Sequence, residues 1–76
     1  MSSQEILQLL ARLDDAIDAR RRLLDQQRQM ITDFRRTGVK ADAHLWSCVC
    51  DNLRINEQTI GALRATLEAL RGSAVQ

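Results

Sequence analysis

The residues best suited to chemistry are gathered in one short run, His44-x-x-x-Cys48-x-Cys50-Asp51. On a helix His44 and Cys48 share a face, which is the geometry of a two-ligand metal clip. Cys48 and Cys50 project about 200° apart on the same helix, so they cannot grasp one ion. The chain has two cysteines in all, so no second pair completes a tetrahedral site. The expectation is that His44 sits in an exposed first turn and that the cysteines act as small hydrophobes. Two cysteines do not staple a small secreted domain, and they read as reduced thiols of a cytoplasmic protein. Asp14, Asp15 and Asp18 are acidic but fall where a solvated helix surface accounts for them. With one His, no Tyr and no glycine-rich phosphate cradle, the sequence offers no nucleophile with a base. The protein is expected not to be an enzyme and to carry no cofactor or metal.

A second chemistry would be phosphate binding. Arg21, Arg28 and Arg35 recur every seven residues, with Arg22 and Arg36 adjoining. Over about 20 Å of helix such a stripe could follow a nucleic acid backbone. The layout resembles the small plasmid-control RNA-binding hairpins of the Rop type, which dimerise and use one face of the bundle. No exposed aromatic punctuates the stripe for base stacking, and Asp25 and Asp33 interrupt it. A solvated face laced by Asp18/Arg22 and Asp25/Arg28 pairs is the simpler expectation. The formal net charge is +1, so no global field draws the chain to nucleic acid or to a membrane.

These residues need long helices to hold them. The chain has no Pro, three Gly and two aromatics, which starves turns and sheets. Its first half carries a ladder, Ile6, Leu10, Leu13, Ile17, Arg20, Leu24, Gln27, Ile31 and Phe34, at alternating steps of four and three. Seven of these nine are apolar, so they form one seam of a helix. Leu9, Ala16, Leu23 and Met30 run beside it and widen the stripe to what a four-helix bundle requires. Ser2 and Glu5 fit a capping box, while Arg35, Arg36 and Gly38 suit a helix end. The spacing predicts helix 1 over about residues 3–36, a turn over 37–42 and helix 2 over about 43–71, with residues 72–76 frayed beyond Gly72. Asp42 is the expected N-cap of helix 2, with Val39 packing over Leu45 or Trp46. Helix 2 has its own ladder: Trp46, Val49, Leu53, Asn56, Ile60, Leu63, Leu67 and Leu70. No stretch approaches the roughly 18 to 20 apolar residues of a membrane span, and Met1 to Glu5 lacks the basic start of a signal peptide.

So short a turn forces the helices antiparallel. Folding about residue 40 sets Phe34 against Trp46, Ile31 against Val49, Ile17 against Leu63, Leu13 against Leu67 and Leu10 against Leu70. Arg20, Gln27 and Asn56 then fall near one level as a polar layer that fixes register. Arg20 alternatively reaches out to a ligand or a partner carboxylate. A chain of this size buries a modest share of its surface alone, so an all-α hairpin that homodimerises into a four-helix bundle is expected, its core formed by the apolar rungs of both ladders. Leu45, Cys48, Asn52, Ile55, Thr59, Ala62, Thr66 and Ala69 line a subsidiary apolar face of helix 2. Either this face completes the dimer or it receives another protein, as the Arg21, Arg28 and Arg35 stripe also could.

The layout running from QEILQLLARLDDAIDARRRLLDQQRQMI through AHLWSCVCDNLRINEQTIGALRATLEAL resembles the small two-helix anti-activators of bacteria and their phages that bind quorum-sensing transcription regulators. The resemblance lies in size, hairpin layout and dimer-forming seams. It implies a homodimer that docks on a LuxR-type activator and prevents DNA binding, and, for phage members, restraint of a host motility ATPase. A Rop-like RNA-binding bundle and a small secretion-type chaperone of a helical partner are the other readings. They differ in what the chain should capture: a regulator, structured RNA, or a helical protein that stabilises it.

Overall fold

The computed structural model describes the backbone of residues 3–75 and the side chains of residues 3–72. Two helices, α1 (Ser3–Thr37) and α2 (Ala43–Val75), lie antiparallel against each other, joined by residues 38–42. The result is an all-α helical hairpin, 58 Å long and 15 Å across in both other directions.

The bend between the helices is built from local hydrogen bonds. Gly38 has φ of 73°, a left-handed conformation that costs a side-chain-bearing residue free energy, and its N–H donates to the Phe34 carbonyl at 2.7 Å. That bond ties off α1. The Thr37 hydroxyl donates to the Asp33 carbonyl at 2.7 Å and accepts from the Val39 N–H at 3.2 Å, so the chain leaving the helix stays satisfied. Asp33 sits in the penultimate turn, and Gln29 Nε2 at 2.9 Å and Arg36 at 3.3 Å donate to its Oδ1. On the far side Asp42 caps α2: its Oδ1 accepts the Leu45 N–H at 3.0 Å, and its carbonyl accepts the Trp46 N–H at 2.9 Å.

Several expectations need correction. Val39 is 70% exposed, and Leu45 and Trp46 are exposed as well, so Val39 buries neither of them. Helix α2 does not end near 71 but runs through Gly72 to Val75, because Gly72 keeps a negative φ and closes nothing. Asp18 pairs with Arg21 at 4.0 Å instead of Arg22. Ser2, half of the expected capping box, lies outside the described residues.

The core is narrow. Val49, Leu53, Ile60 and Leu63 of α2 are buried, and every one lies on the ladder of that helix. Helix α1 contributes no buried residue. The whole column Leu9, Ala16, Leu23 and Met30 is half-buried, but of the ladder only Ile6, Leu13, Ile17, Leu24 and Gln27 are, whereas Leu10, Arg20, Ile31 and Phe34 are exposed. The helix is therefore rotated so that the column beginning at Leu9 faces α2, and the ladder beginning at Ile6 lies partly along an outer edge.

Candidate interaction surface

The contact between the helices fixes what remains outside. Asn56 crosses the interface, its Nδ2 donating to the Ala16 carbonyl at 2.9 Å. Its Oδ1 is buried without a hydrogen-bond partner. Gln27 Nε2 lies 3.8 Å from Cys50 Sγ, the distance of a weak N–H···S bond. Gln27 and Asn56 therefore make separate polar contacts, and Arg20 is exposed between them, so the three do not form one closed layer in the hairpin. A fold symmetric about residue 40 would set Asn56 near Leu24 and Cys50 near Met30. The observed partners lie further toward the start of α1, by about two turns and about one turn. The five-residue connection thus offsets the helices instead of reversing the chain symmetrically.

Near the bend Phe34 and Trp46, expected as a packed rung, are both exposed and stand as walls of an open apolar cleft of about 360 Å³. Met30, Ile31, Lys40, Ala41 and Ala43 complete its lining. The cleft opens on the same outer edge of α1 that Ile31 and Phe34 occupy.

The outer side of α2 carries a second surface. Ile55 is 55% exposed although the neighbouring ladder residues Leu53 and Ile60 are buried, so it projects away from α1. Leu45 is also exposed, and Cys48 is half-buried. The Thr59 hydroxyl donates to the Ile55 carbonyl at 3.1 Å and that of Thr66 to the Ala62 carbonyl at 2.9 Å. Both hydroxyls are thus satisfied within their own helix, and this side is more apolar than its composition suggests. Asn52, on the same side, is exposed.

The reactive residues are placed as the sequence implies but are not assembled into a centre. His44 Nε2 and Cys48 Sγ approach to 3.6 Å across one helical turn. Among the described residues no group of three or more His, Cys, Asp or Glu could hold a metal ion. Arg21, Arg28 and Arg35 are exposed along one flank of α1, with Arg21 beside Asp18. The other ion pairs, Arg36 with Asp33 at 3.3 Å, Arg54 with Asp51 at 3.4 Å and Arg71 with Glu68 at 4.0 Å, are solvent-exposed neighbours on one helix and add little to stability. Among the described residues no helix is long and apolar enough to cross a membrane. The orphaned Asn56 Oδ1 and the rotation of α1 are the features that sequence reasoning missed. The regular column Leu9, Ala16, Leu23 and Met30 was the available signal for the rotation.

No family model matches the chain, and neither the curated proteins nor the solved structures contain a significant match to it.

Proposed function

We propose that this protein is a non-enzymatic interaction protein of bacterial or phage regulation, working in the cytoplasm as a homodimeric four-helix bundle that binds and inhibits a LuxR-type transcription regulator. The observation that supports a protein partner is the outer side of α2, where Ile55 stands 55% exposed beside Leu45 and Cys48, separate from the residues that hold the hairpin together. Leu45, Cys48 and Ile55 fall at three- and seven-residue steps, the spacing at which one helix offers apolar anchors to another. The class of regulator comes from the resemblance to the two-helix anti-activators. Inhibition would follow by occlusion: a rod 58 Å long seated on a DNA-binding activator blocks the approach of the duplex without any chemistry.

The test uses the purified protein and a purified LuxR-type regulator on its operator, followed by fluorescence anisotropy of labelled DNA. The expected result is release of the DNA as the bundle is added. Ile55→Asp should remove this effect while the variant still sediments as the wild type does. A regulator that stays on its operator at saturating protein overturns the proposal. Retention of structured RNA with steep salt dependence, lost in Arg28→Glu, would instead assign the arginine flank to nucleic acid.

A further inference from the structure

We infer that the second copy packs on the outer edge of α1, helix against helix and antiparallel, so that the dimer interface is α1 on α1 and the outer side of α2 stays free. This rests on the dimer reading above and says which surface makes it. Three independent observations lead there.

The first is area. A globular monomer of 8.6 kDa exposes about 4,700 Å², whereas the hairpin exposes 6029 Å². The surplus of roughly 1,300 Å² exceeds the roughly 800 Å² that each partner buries in a standard stable interface. Helix α1, with no buried residue and four of the exposed large apolar side chains, carries a large part of that surplus.

The second is the symmetry of what α1 exposes. Its large apolar residues left in solvent are Leu7, Leu10, Ile31 and Phe34, with Leu7 64% exposed. If a second α1 is laid antiparallel about an axis passing between Arg20 and Arg21, Leu10 falls opposite Ile31 and the half-buried Ile17 opposite Leu24, four residues that follow one another at seven-residue steps along a single edge; Leu7 and Phe34 reach the same level but project from different sides of the helix. One reversal therefore pairs the exposed Leu10 and Ile31 with each other and the half-buried Ile17 with Leu24.

The third is charge. Residues 3–19 hold four carboxylates and one arginine, net −3, while residues 20–37 hold six arginines and two aspartates, net +4. The helix dipole accounts for charges in the end turns only, where Glu5, Arg35 and Arg36 lie. Asp14, Asp15 and Asp18, and Arg20, Arg21, Arg22 and Arg28, lie beyond its reach. In an antiparallel pair each acidic half meets a basic half, and Asp14 comes within about a residue of level with Arg28 of the other copy. A parallel pair would oppose like charges along its whole length. At the axis the arginines of the two copies approach one another, and the Asp18 carboxylate beside Arg21 offsets that repulsion.

The test is a charge-reversal cycle on the full chain, read as the dimer dissociation constant by sedimentation equilibrium at low salt, with circular dichroism checking that helix content is kept. Asp14→Arg and Arg28→Asp should each weaken the dimer by about threefold to tenfold, an effect that fades as salt is added. The double variant should return to within about twofold of wild type. Residues 14 and 28 lie about 20 Å apart along one helix, so restoration cannot come from within a chain. A dimer in which the two effects simply multiply overturns the α1 interface and leaves the dimer itself standing. A wild-type chain that is monomeric at tens of micromolar overturns both.

Discussion

Replacing Asn56 by Leu should make the protein more stable, against the ordinary expectation for removing a hydrogen-bonded side chain. Asn56 donates one hydrogen bond, to the Ala16 carbonyl, and buries a second polar atom, Oδ1, with no partner. The bond is worth about 1 kcal/mol net, while the unsatisfied acceptor costs about 1–3 kcal/mol. Loss of the bond does not strand Ala16, whose carbonyl lies within α1 and has its own helical partner four residues on. Leucine adds apolar burial between Leu53 and Ile60, worth up to about 2 kcal/mol where the flanking space accepts it. The net expectation is a gain of about 0–4 kcal/mol, measured by urea denaturation at one fixed protein concentration, so that any association between copies contributes equally to both proteins. The same variant should lose uniqueness. Light scattering after size exclusion should show a broader distribution of assemblies, because the Asn56 bond to Ala16 is the strongest polar contact holding the two helices at one offset. A destabilised Asn56→Leu would refute the assignment of Oδ1 as an uncompensated group, and a stabilised variant that remains one clean species would refute its role in specifying register.

The bend supports two opposed glycine predictions. Gly38→Ala should cost about 1–2 kcal/mol, because φ of 73° is strained for any residue with a Cβ, whereas Gly61→Ala, with open space around the added methyl, should gain about 1 kcal/mol. Thermal melts of both at equal concentration check the signs. Asp42→Ala removes the oxygen that receives the Leu45 N–H and should cost about 1 kcal/mol, with hydrogen exchange of the first turn of α2 rising before that of the rest. Leu24→Ala should cost about 2–5 kcal/mol where the bundle is assembled and distinctly less in dilute solution, because this side chain is only half-buried within one hairpin. A loss that is the same across a dilution series of denaturation curves would place Leu24 outside any interface between copies.

What the sequence made legible is what short-range forces decide. Gly38 as the left-handed stop, Asp42 as the cap and the ladder of α2 all follow from interactions spanning four residues or fewer, and each is where the pattern puts it. Rotation and offset were not legible. Helix α1 has two adjoining apolar columns, and turning it by part of a helical step to favour Leu9, Ala16 and Leu23 over Leu10 and Ile31 changes little in hydrophobic content. The choice depends on how five irregular residues deliver α2 to its neighbour, which composition does not encode. The end of α2 was missed for a related reason. A glycine terminates a helix only when it takes a positive φ, and Gly72, unlike Gly38, does not. The apolar face on the outer side of α2 is legible in the spacing of its small residues, and the threonine hydroxyls that turn inward on their own backbone agree with it.

That α1 contributes no fully sheltered side chain bears on how long the molecule survives in a cell. A solitary hairpin would open its first helix often, and the opened segment is what a protease cuts. Pairing would remove that opportunity, so a scarce chain would be cleared quickly while an abundant one protects itself. Its steady-state level would then respond to synthesis more steeply than in proportion, so the chain would accumulate only above a threshold rate of production.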